Sequence, residues 1–326
     1  MKKVAVIGLG NIATRHRRNL KQLFPEATLF AMSASGRVPN ETVENCDIVA
    51  TSIEELIDKE VELVIVASPA TFHARHAVPL IEAGIPTLIE KPVTADNKDS
   101  KILSDTVSKH STPVAIGYCL RYLPSAKVVK SVLDENKLGC LYNSFVHIGQ
   151  YLPDWRPSKD YRSSVSANAE LGGGALLELS HEVDYSRWLL GTLNLQHALL
   201  RSSAELALDV EDMADITLTA EDGSVVQLHL DFMQRTANRH CRFIGSQGCL
   251  EWDLIRNEVA YVAGGEEKIL YSDPEWDKNQ MYLEMIKDFL RLIRGEDNQC
   301  VLIDDAAETV ALIEQVKQKF PKTDKY

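Results

Sequence analysis

The feature that most constrains this chain is its beginning, KVAVIGLGNIATRHRRNLKQLF, an apolar run that ends in two closely spaced glycines and passes at once into helical spacing. The pattern then repeats. TLFAMS, DIVA, ELVIVASP, PTLIE and TPVAIGY read as strands, and SIEELID, HARHAVPLIEAG and NKDSKILSDTVSKH read as the helices between them. Short apolar strands alternating with helices of this length demand a parallel sheet with helices on both faces. After about residue 122 the texture changes. DITLTA, SVVQLHLDF and HCRFIGSQGCLEWD alternate apolar and polar residues and are joined by turn signals rather than helices, which makes an antiparallel sheet. The tail, NQMYLEMIKDFLRLIRG and DAAETVALIEQVKQKF, returns to helices. A chain of 326 residues is expected to split. The expected division is residues 1–122 as a doubly wound α/β domain and 123–326 as an α+β domain that includes the C-terminal helices.

GLGNIA places Gly8, Gly10 and Ala13 at the three small positions of a dinucleotide fingerprint, with Asn11 and Ile12 opening the helix. Gly8 would make the tight turn, and Gly10 would let backbone approach a pyrophosphate. Ala13 would let helix and strand pack closely. The context supports the motif, because it follows the first strand, opens a helix and begins a βαβ series. An NAD site carries an acidic residue at the end of its second strand; this chain offers Ser33, Ser35 and Arg37 there. A hydroxyl and a guanidinium suit a 2′-phosphate, so NADP is the expected cofactor and NAD the alternative. RHRR, residues 15–18, reads as the solvated face of the first helix, with a phosphate grip as the other reading.

Ligands of a doubly wound sheet bind beyond the carboxyl ends of its strands. TLIEKPV puts Glu90 and Lys91 there, with Pro92 restricting the backbone behind the lysine. A lysine so placed can hydrogen-bond a substrate hydroxyl and stabilise charge developing on its oxygen. Glu90 would pair with the lysine or orient it.

In order along the chain, GLGNIA, ASPATFHARHAVPLIEAGIPTLIEKPVT, GGGALLELSHEVDYSRWLLG and FIGSQGCLEWD resemble the glucose–fructose oxidoreductase / inositol dehydrogenase (Gfo/Idh/MocA) family. The resemblance implies a Rossmann domain and a C-terminal domain built on a large open antiparallel sheet. It implies reversible hydride transfer between a nicotinamide and a hydroxyl or carbonyl carbon of a sugar, sugar derivative or cyclitol. It further implies Lys91 as the catalytic lysine, behind which the bond to Pro92 would be cis, and His181 as the general acid/base. Glu178 stands for an aspartate that assists the histidine, and Ser68, Pro69 and His73 lie on the nicotinamide-side loop. His73 could equally cap the helix that follows. The chain departs from the family in one place. Its carboxylate precedes the histidine by three residues rather than four, with Ser180 in the interval, which makes Asp184 a rival partner. If this segment is one helix, Glu178, His181 and Tyr185 share a stripe, and the nearby carboxylates, Glu182 among them, favour proton uptake by His181.

GQYLPDWRPSKDYR combines aromatic faces with donors: Trp155, Arg156, Tyr161 and Arg162 suit a sugar bearing hydroxyls, phosphate or carboxylate. It looks like the loop of family members in bacterial surface-sugar biosynthesis, and a subunit-contact loop has the same composition. A net charge of −12 argues against nucleic acid. No apolar stretch reaches spanning length, and Cys46, Cys119, Cys140, Cys241, Cys249 and Cys300 lack metal-type spacing. The expectation is therefore a cytoplasmic protein with reduced thiols, no membrane partner and no metal ligands. A homodimer or homotetramer formed through the C-terminal sheet completes the expectation. Two other readings share the first domain: an enzyme that uses bound NAD for redox-assisted elimination, such as glycoside cleavage, and a non-catalytic dinucleotide sensor.

Overall fold

The computed structural model describes residues 1–323. The chain runs β1 (Lys3–Ile7), α1 (Asn11–Leu23), β2 (Thr28–Met32), β3 (Ile48–Ala50), α2 (Ile53–Asp58), β4 (Leu63–Val66), α3 (His73–Glu82), β5 (Thr87–Ile89), α4 (Asn97–His110) and β6 (Val114–Ile116). It continues with α5 (Pro124–Asp134), β7 (Leu141–Gly149), α6 (Ala175–Glu178), α7 (Ser180–Leu190), β8 (Leu193–Arg201), β9 (Met213–Ala220) and β10 (Val225–Asp231). The last elements are β11 (Asn238–Gly245), β12 (Gly248–Asp253), β13 (Glu258–Ala263), β14 (Glu266–Ser272), α8 (Gln280–Ile293) and α9 (Ile303–Lys319). Among the described residues no helix is long and apolar enough to cross a membrane.

The first compact unit comprises residues 1–118 and 279–311. Its six strands lie in the order β3-β2-β1-β4-β5-β6, and every neighbouring pair is parallel. The order reverses between β1 and β4, so the loops after these strands open at the switch point where such sheets bind ligands. β1 and β4 are buried almost throughout, the continuous apolar pattern of strands covered on both faces. α8 and the first half of α9 depart from expectation, because residues 279–311 belong to this unit, while the rest of α9 belongs to the second. Val301 bridges the edge strand at Ile116, and Ile303, Ala306 and Val310 join the same apolar core as Ile7, Val66 and Ile89. α8 packs on α1, where Tyr282 meets His16 edge to face at 5.9 Å.

The second unit comprises residues 119–278 and, among the described residues, 312–323. Its eight strands follow the order β14-β13-β12-β11-β7-β10-β9-β8. β7 and β10 run parallel and the other neighbours antiparallel, so the sheet is mixed at its centre. One face carries Val146, Ile148, Ile216, Leu218, Val226, Leu228 and Phe243, all buried. Trp252 is fully buried there and donates its indole N–H to Ser125 at the start of α5. The opposite face carries Phe145, His147, Asp215, Thr217, Gln227, His229 and Arg242, as the period of two requires.

Candidate active site

The glycine turn is fixed by two separate needs. Gly8 has φ of +120°, and a Cβ there would lie 2.3 Å from the Ala67 carbonyl oxygen, so any side chain would force β1 and β4 apart. A Cβ on Gly10 would meet nothing within 4 Å. Gly10 caps α1 with extended backbone and no side-chain acceptor, and the first turn holds no acidic residue. The N–H groups of Asn11 and Ile12 therefore begin a helix whose positive end carries no competing carboxylate, and a diphosphate fits this arrangement.

The basic cluster behind this turn is not a solvated face. Arg15 stacks over Tyr282 at 4.6 Å, and Arg18 alone of the four is exposed. Arg17 is 2% exposed and donates to the Gly8 and Glu44 carbonyls and to Thr14 Oγ1, which ties the glycine turn to the segment before β3. Burial lowers its pKa against the attraction of nearby anionic groups. His16 is fully buried, and its Nε2 lies 2.6 Å from Glu90 Oε1. Residues spaced for solvent turned inward because α8 covers α1, a contact made by a segment some 260 residues later that no local pattern announces.

The strand ends around Lys91 are held mainly by histidines. The Lys91–Pro92 bond is cis. Glu90 accepts the Lys91 backbone N–H at its second oxygen, 3.1 Å away. Burial would raise the Glu90 pKa, but the hydrogen bond from His16 and the charges of His16 and Lys91 outweigh it, and the net shift is downward. His73 is buried at the start of α3, with Nε2 2.8 Å from the Ser68 carbonyl and Nδ1 3.0 and 3.2 Å from those of Pro92 and Val93. The ring lies between the Ser68–Pro69 loop and the segment after Lys91, where its N–H donates to one side, and burial pushes its pKa down. His76, which the sequence reading did not single out, faces Ser68 Oγ at 2.9 Å through Nδ1 and the Ala34 carbonyl at 3.2 Å through Nε2. Burial lowers its pKa to about 4, so at neutral pH it is a neutral ring that accepts from Ser68 and donates to Ala34. A polar residue at helical spacing from His73 was the available signal.

Beyond β2 lies an exposed turn. Ser33 Oγ donates to the Arg37 carbonyl at 2.7 Å, Arg37 Nε donates to Ser35 Oγ at 3.1 Å, and Gly36 adopts φ of +73° beneath the Thr51 carbonyl. The Arg37 side chain projects into solvent.

In the second unit the GGG segment is tightly hemmed. Gly174 has φ of +104°, and a Cβ there would strike the Glu211 carboxylate at 2.4 Å. Glu211 itself accepts the Leu176 N–H and so caps α6. The condition of one helix over residues 174–190 is not met, because the backbone breaks at Leu179 (φ −97°, ψ 28°), giving α6 and α7. Glu178 and His181 therefore flank the break instead of sharing one regular stripe, and Tyr185 is buried against Trp252 and Cys241. Glu178 accepts a hydrogen bond from Ser166 at 2.9 Å.

The two other carboxylates near His181 are committed elsewhere. Asp184, 1% exposed, takes Arg121 bidentately at 2.6 and 3.0 Å. Glu182, fully buried, takes Arg239 at 2.7 and 3.1 Å. Each of these two negative charges is thus matched by a guanidinium. Asp184, expected on the substrate side, is buried as the counter-ion of Arg121. The arginines were missed because they stand 63 and 57 residues away in sequence. The aromatic loop divides as well. Trp155 packs edge-on against Phe232 at 5.4 Å, and Tyr161 donates its hydroxyl to the Leu206 carbonyl. Arg156 and Arg162 are exposed, the latter over the Tyr161 ring at 4.9 Å.

A glycine turn opening onto a helix N-terminus, at the switch point of a doubly wound sheet and beside a lysine at a strand end, defines a dinucleotide-dependent protein of the oxidoreductase class. Residues 2–118 match the family described as "Oxidoreductase family, NAD-binding Rossmann fold", and residues 127–251 match "GFO/IDH/MocA C-terminal domain". The chain belongs to the Gfo/Idh/MocA family. It is 27% identical over 289 residues to inositol 2-dehydrogenase 1 of Saccharopolyspora erythraea, covering 83% of this chain and 80% of that one. It is 28% identical over 186 residues to glucose-6-phosphate 3-dehydrogenase of Bacillus subtilis, covering 56% and 52%. The structure of a levoglucosan dehydrogenase in complex with NADH and levoglucosan superposes with a TM-score of 0.84 over 97% of this chain and 96% of that one, at 17% identity, a likeness of fold.

Proposed function

We propose that the protein transfers hydride between a nicotinamide dinucleotide and the hydroxyl-bearing or carbonyl carbon of a sugar, sugar derivative or cyclitol. The observation that carries this reading is the open turn at Gly10, at an α1 N-terminus with no side-chain cap and beside the strand end that presents Lys91. The bound nicotinamide supplies the hydride acceptor. In the oxidation direction His181 takes the substrate hydroxyl proton, and Lys91 hydrogen-bonds the same oxygen as negative charge develops on it. Glu178, anchored by Ser166, orients the histidine. Glu90, His16 and His73 act on Lys91 and its loop as positioning residues.

Ser33 and Arg37, in place of a carboxylate after β2, support NADP over NAD. The exposed Arg156 and Arg162 suit a phosphate or carboxylate on the substrate, with Trp155 and Tyr161 stiffening the loop beneath them. The names of the relatives support the sugar and cyclitol class, and the six free cysteines suit a reducing, cytoplasmic setting. Phe145 and Leu199, 39% and 41% exposed on the open face of the second sheet, support self-association there.

The test is single-turnover hydride transfer with NADPH or NADH across a panel of inositols, hexoses and hexose phosphates. Lys91→Ala and His181→Ala should retain cofactor affinity and lose roughly 10²–10⁴-fold in rate. Near-normal rates in both would overturn the mechanism, and dinucleotide binding without turnover of any substrate would favour a sensor. Arg37→Ala should cost about 1.5–3 kcal/mol of NADPH affinity and leave NADH unchanged.

A further inference from the structure

The open face of the second sheet holds a polar cluster that the hydride chemistry does not use. His147 on β7 stands opposite His229 on β10, and Gly149 stands opposite Asp231 in the same register. One donor atom from each of His147, His229 and Asp231 lies within 4.8 Å of the others. We propose that these three side chains bind a divalent transition ion of the zinc class, although no Cys/His spacing in the sequence announces one.

Four observations carry the proposal. Two donors on one ion stand at most about 4.4 Å apart at bond lengths of about 2.0–2.2 Å. The widest separation therefore closes with small side-chain motions, and His229 Nε2 already lies 2.9 Å from Asp231 Oδ2. The outer partners, secondly, are those a metal site needs. Asp215 Oδ1 accepts from His229 Nδ1 at 2.6 Å, leaving Nε2 to face the cluster, and Arg201 in turn holds Asp215. Asp231 Oδ1 is filled by the backbone N–H groups of Met233 and Gln234 at 2.6 and 3.0 Å, which turns Oδ2 toward the imidazoles; Asp231 is only 2% exposed.

Gln234, thirdly, plugs the centre. Its amide nitrogen lies 2.6 Å from His147 Nε2 and also donates to Asp231 Oδ2, so an NH₂ group sits where a cation would be attracted. Rotating that amide by half a turn would present its oxygen as a fourth ligand. Gly149, finally, is a glycine for space alone. Its φ lies outside the left-handed region, yet a Cβ would fall 2.0 Å from Gln234 Nε2 and 2.4 Å from Asp231 Oδ2. Two imidazoles with one carboxylate favour Zn²⁺ and its neighbours over Mg²⁺ or Ca²⁺, which prefer all-oxygen sets. An ion here would pin the parallel β7–β10 pair at its open end.

The competing occupant is a proton shared between His229 and its two carboxylates, and the experiment separates the two. Full-length protein stripped of metal is titrated with ZnCl₂ alone and, separately, with CoCl₂. The expected results are one ion per chain, a rise in thermal stability and a visible Co²⁺ absorption band, with no response to MgCl₂. His147→Ala should abolish the uptake. Asp215→Ala should weaken it about 10–100-fold, and Gln234→Ala should shift the cobalt band. His197→Ala on β8 should leave binding intact. Binding of dinucleotide by the same variants confirms that they are folded and should not change, which keeps this proposal separate from the one for hydride transfer. No uptake by the parent protein, or uptake unchanged in both His147→Ala and Gln234→Ala, would overturn the metal and leave the shared proton.

Discussion

The residues around Lys91 and those around His181 are both anchored by buried charged or titratable side chains, but with different chemistry. In the first unit the anchors are imidazoles: His16 on Glu90, His73 on three carbonyls, and His76 on Ser68 and Ala34. In the second unit they are guanidiniums, Arg121 on Asp184 and Arg239 on Glu182. A guanidinium keeps its charge at every accessible pH, whereas an imidazole changes protonation state near neutrality. The strand-end site is thus built from imidazoles that acid protonates directly, whereas in the second unit acid can reach the ion pairs only through their carboxylates. Mutation should therefore strike the second site harder, and pH the first.

The largest effect is expected for Arg239→Ala. Removing one partner of a buried pair strands the other, and Glu182 has no exposure through which to recruit water. The cost should be about 3–5 kcal/mol, read from urea unfolding of the second unit. The replacement Glu182→Gln with Arg239→Met should recover much of it, since the charge and its partner leave together.

His76 should govern the acid response of the first unit. Its folded-state pKa of about 4 lies below the ordinary 6.5, so between those values the unfolded chain binds the proton that the folded chain refuses. Stability therefore rises with pH across that window and falls on acidification through it. At one pKa unit per 1.36 kcal/mol, the swing is at most about 3 kcal/mol. His76→Gln should flatten that part of the profile, measured by hydrogen exchange in α3 between pH 7 and 4. An unchanged slope would assign the acid sensitivity to other groups.

A smaller loss, about 1–3 kcal/mol, is expected for His16→Ala, which leaves Glu90 Oε1 without its buried partner. Here the comparison sharpens. If Glu90 positions Lys91, turnover should fall while dinucleotide affinity holds, and a purely structural pair would lower stability alone. The smallest change in stability should come from Gly10→Ala, within about 0.5 kcal/mol, because a Cβ there meets open space. The same methyl should nevertheless abolish the thermal shift given by NADPH. Retained binding would mean that the backbone at Gly10 does not approach the ligand.

How much of this was legible in the sequence follows from the distances involved. The alternation of strands and helices, the glycine turn and the strand-end lysine are local patterns, set by side-chain period, turn chemistry and the short βα loops of a parallel sheet. The sequence alone determined them, and it carried the family resemblance with them. Tertiary structure decided the rest. RHRR turned inward because α8 returns to cover α1, and the start of α9 joined the first core because Val301 pairs with the edge strand at Ile116. The helix bearing His181 broke at Leu179, and its flanking carboxylates found arginines some sixty residues away. His147, His229 and Asp231 converged only when β7 and β10 paired in parallel, with Gly149 making room. A hydrophobic period and a turn motif are written within a dozen residues. The neutralisation of a buried charge depends on whichever segment the fold brings within hydrogen-bond reach, and no local pattern records that choice.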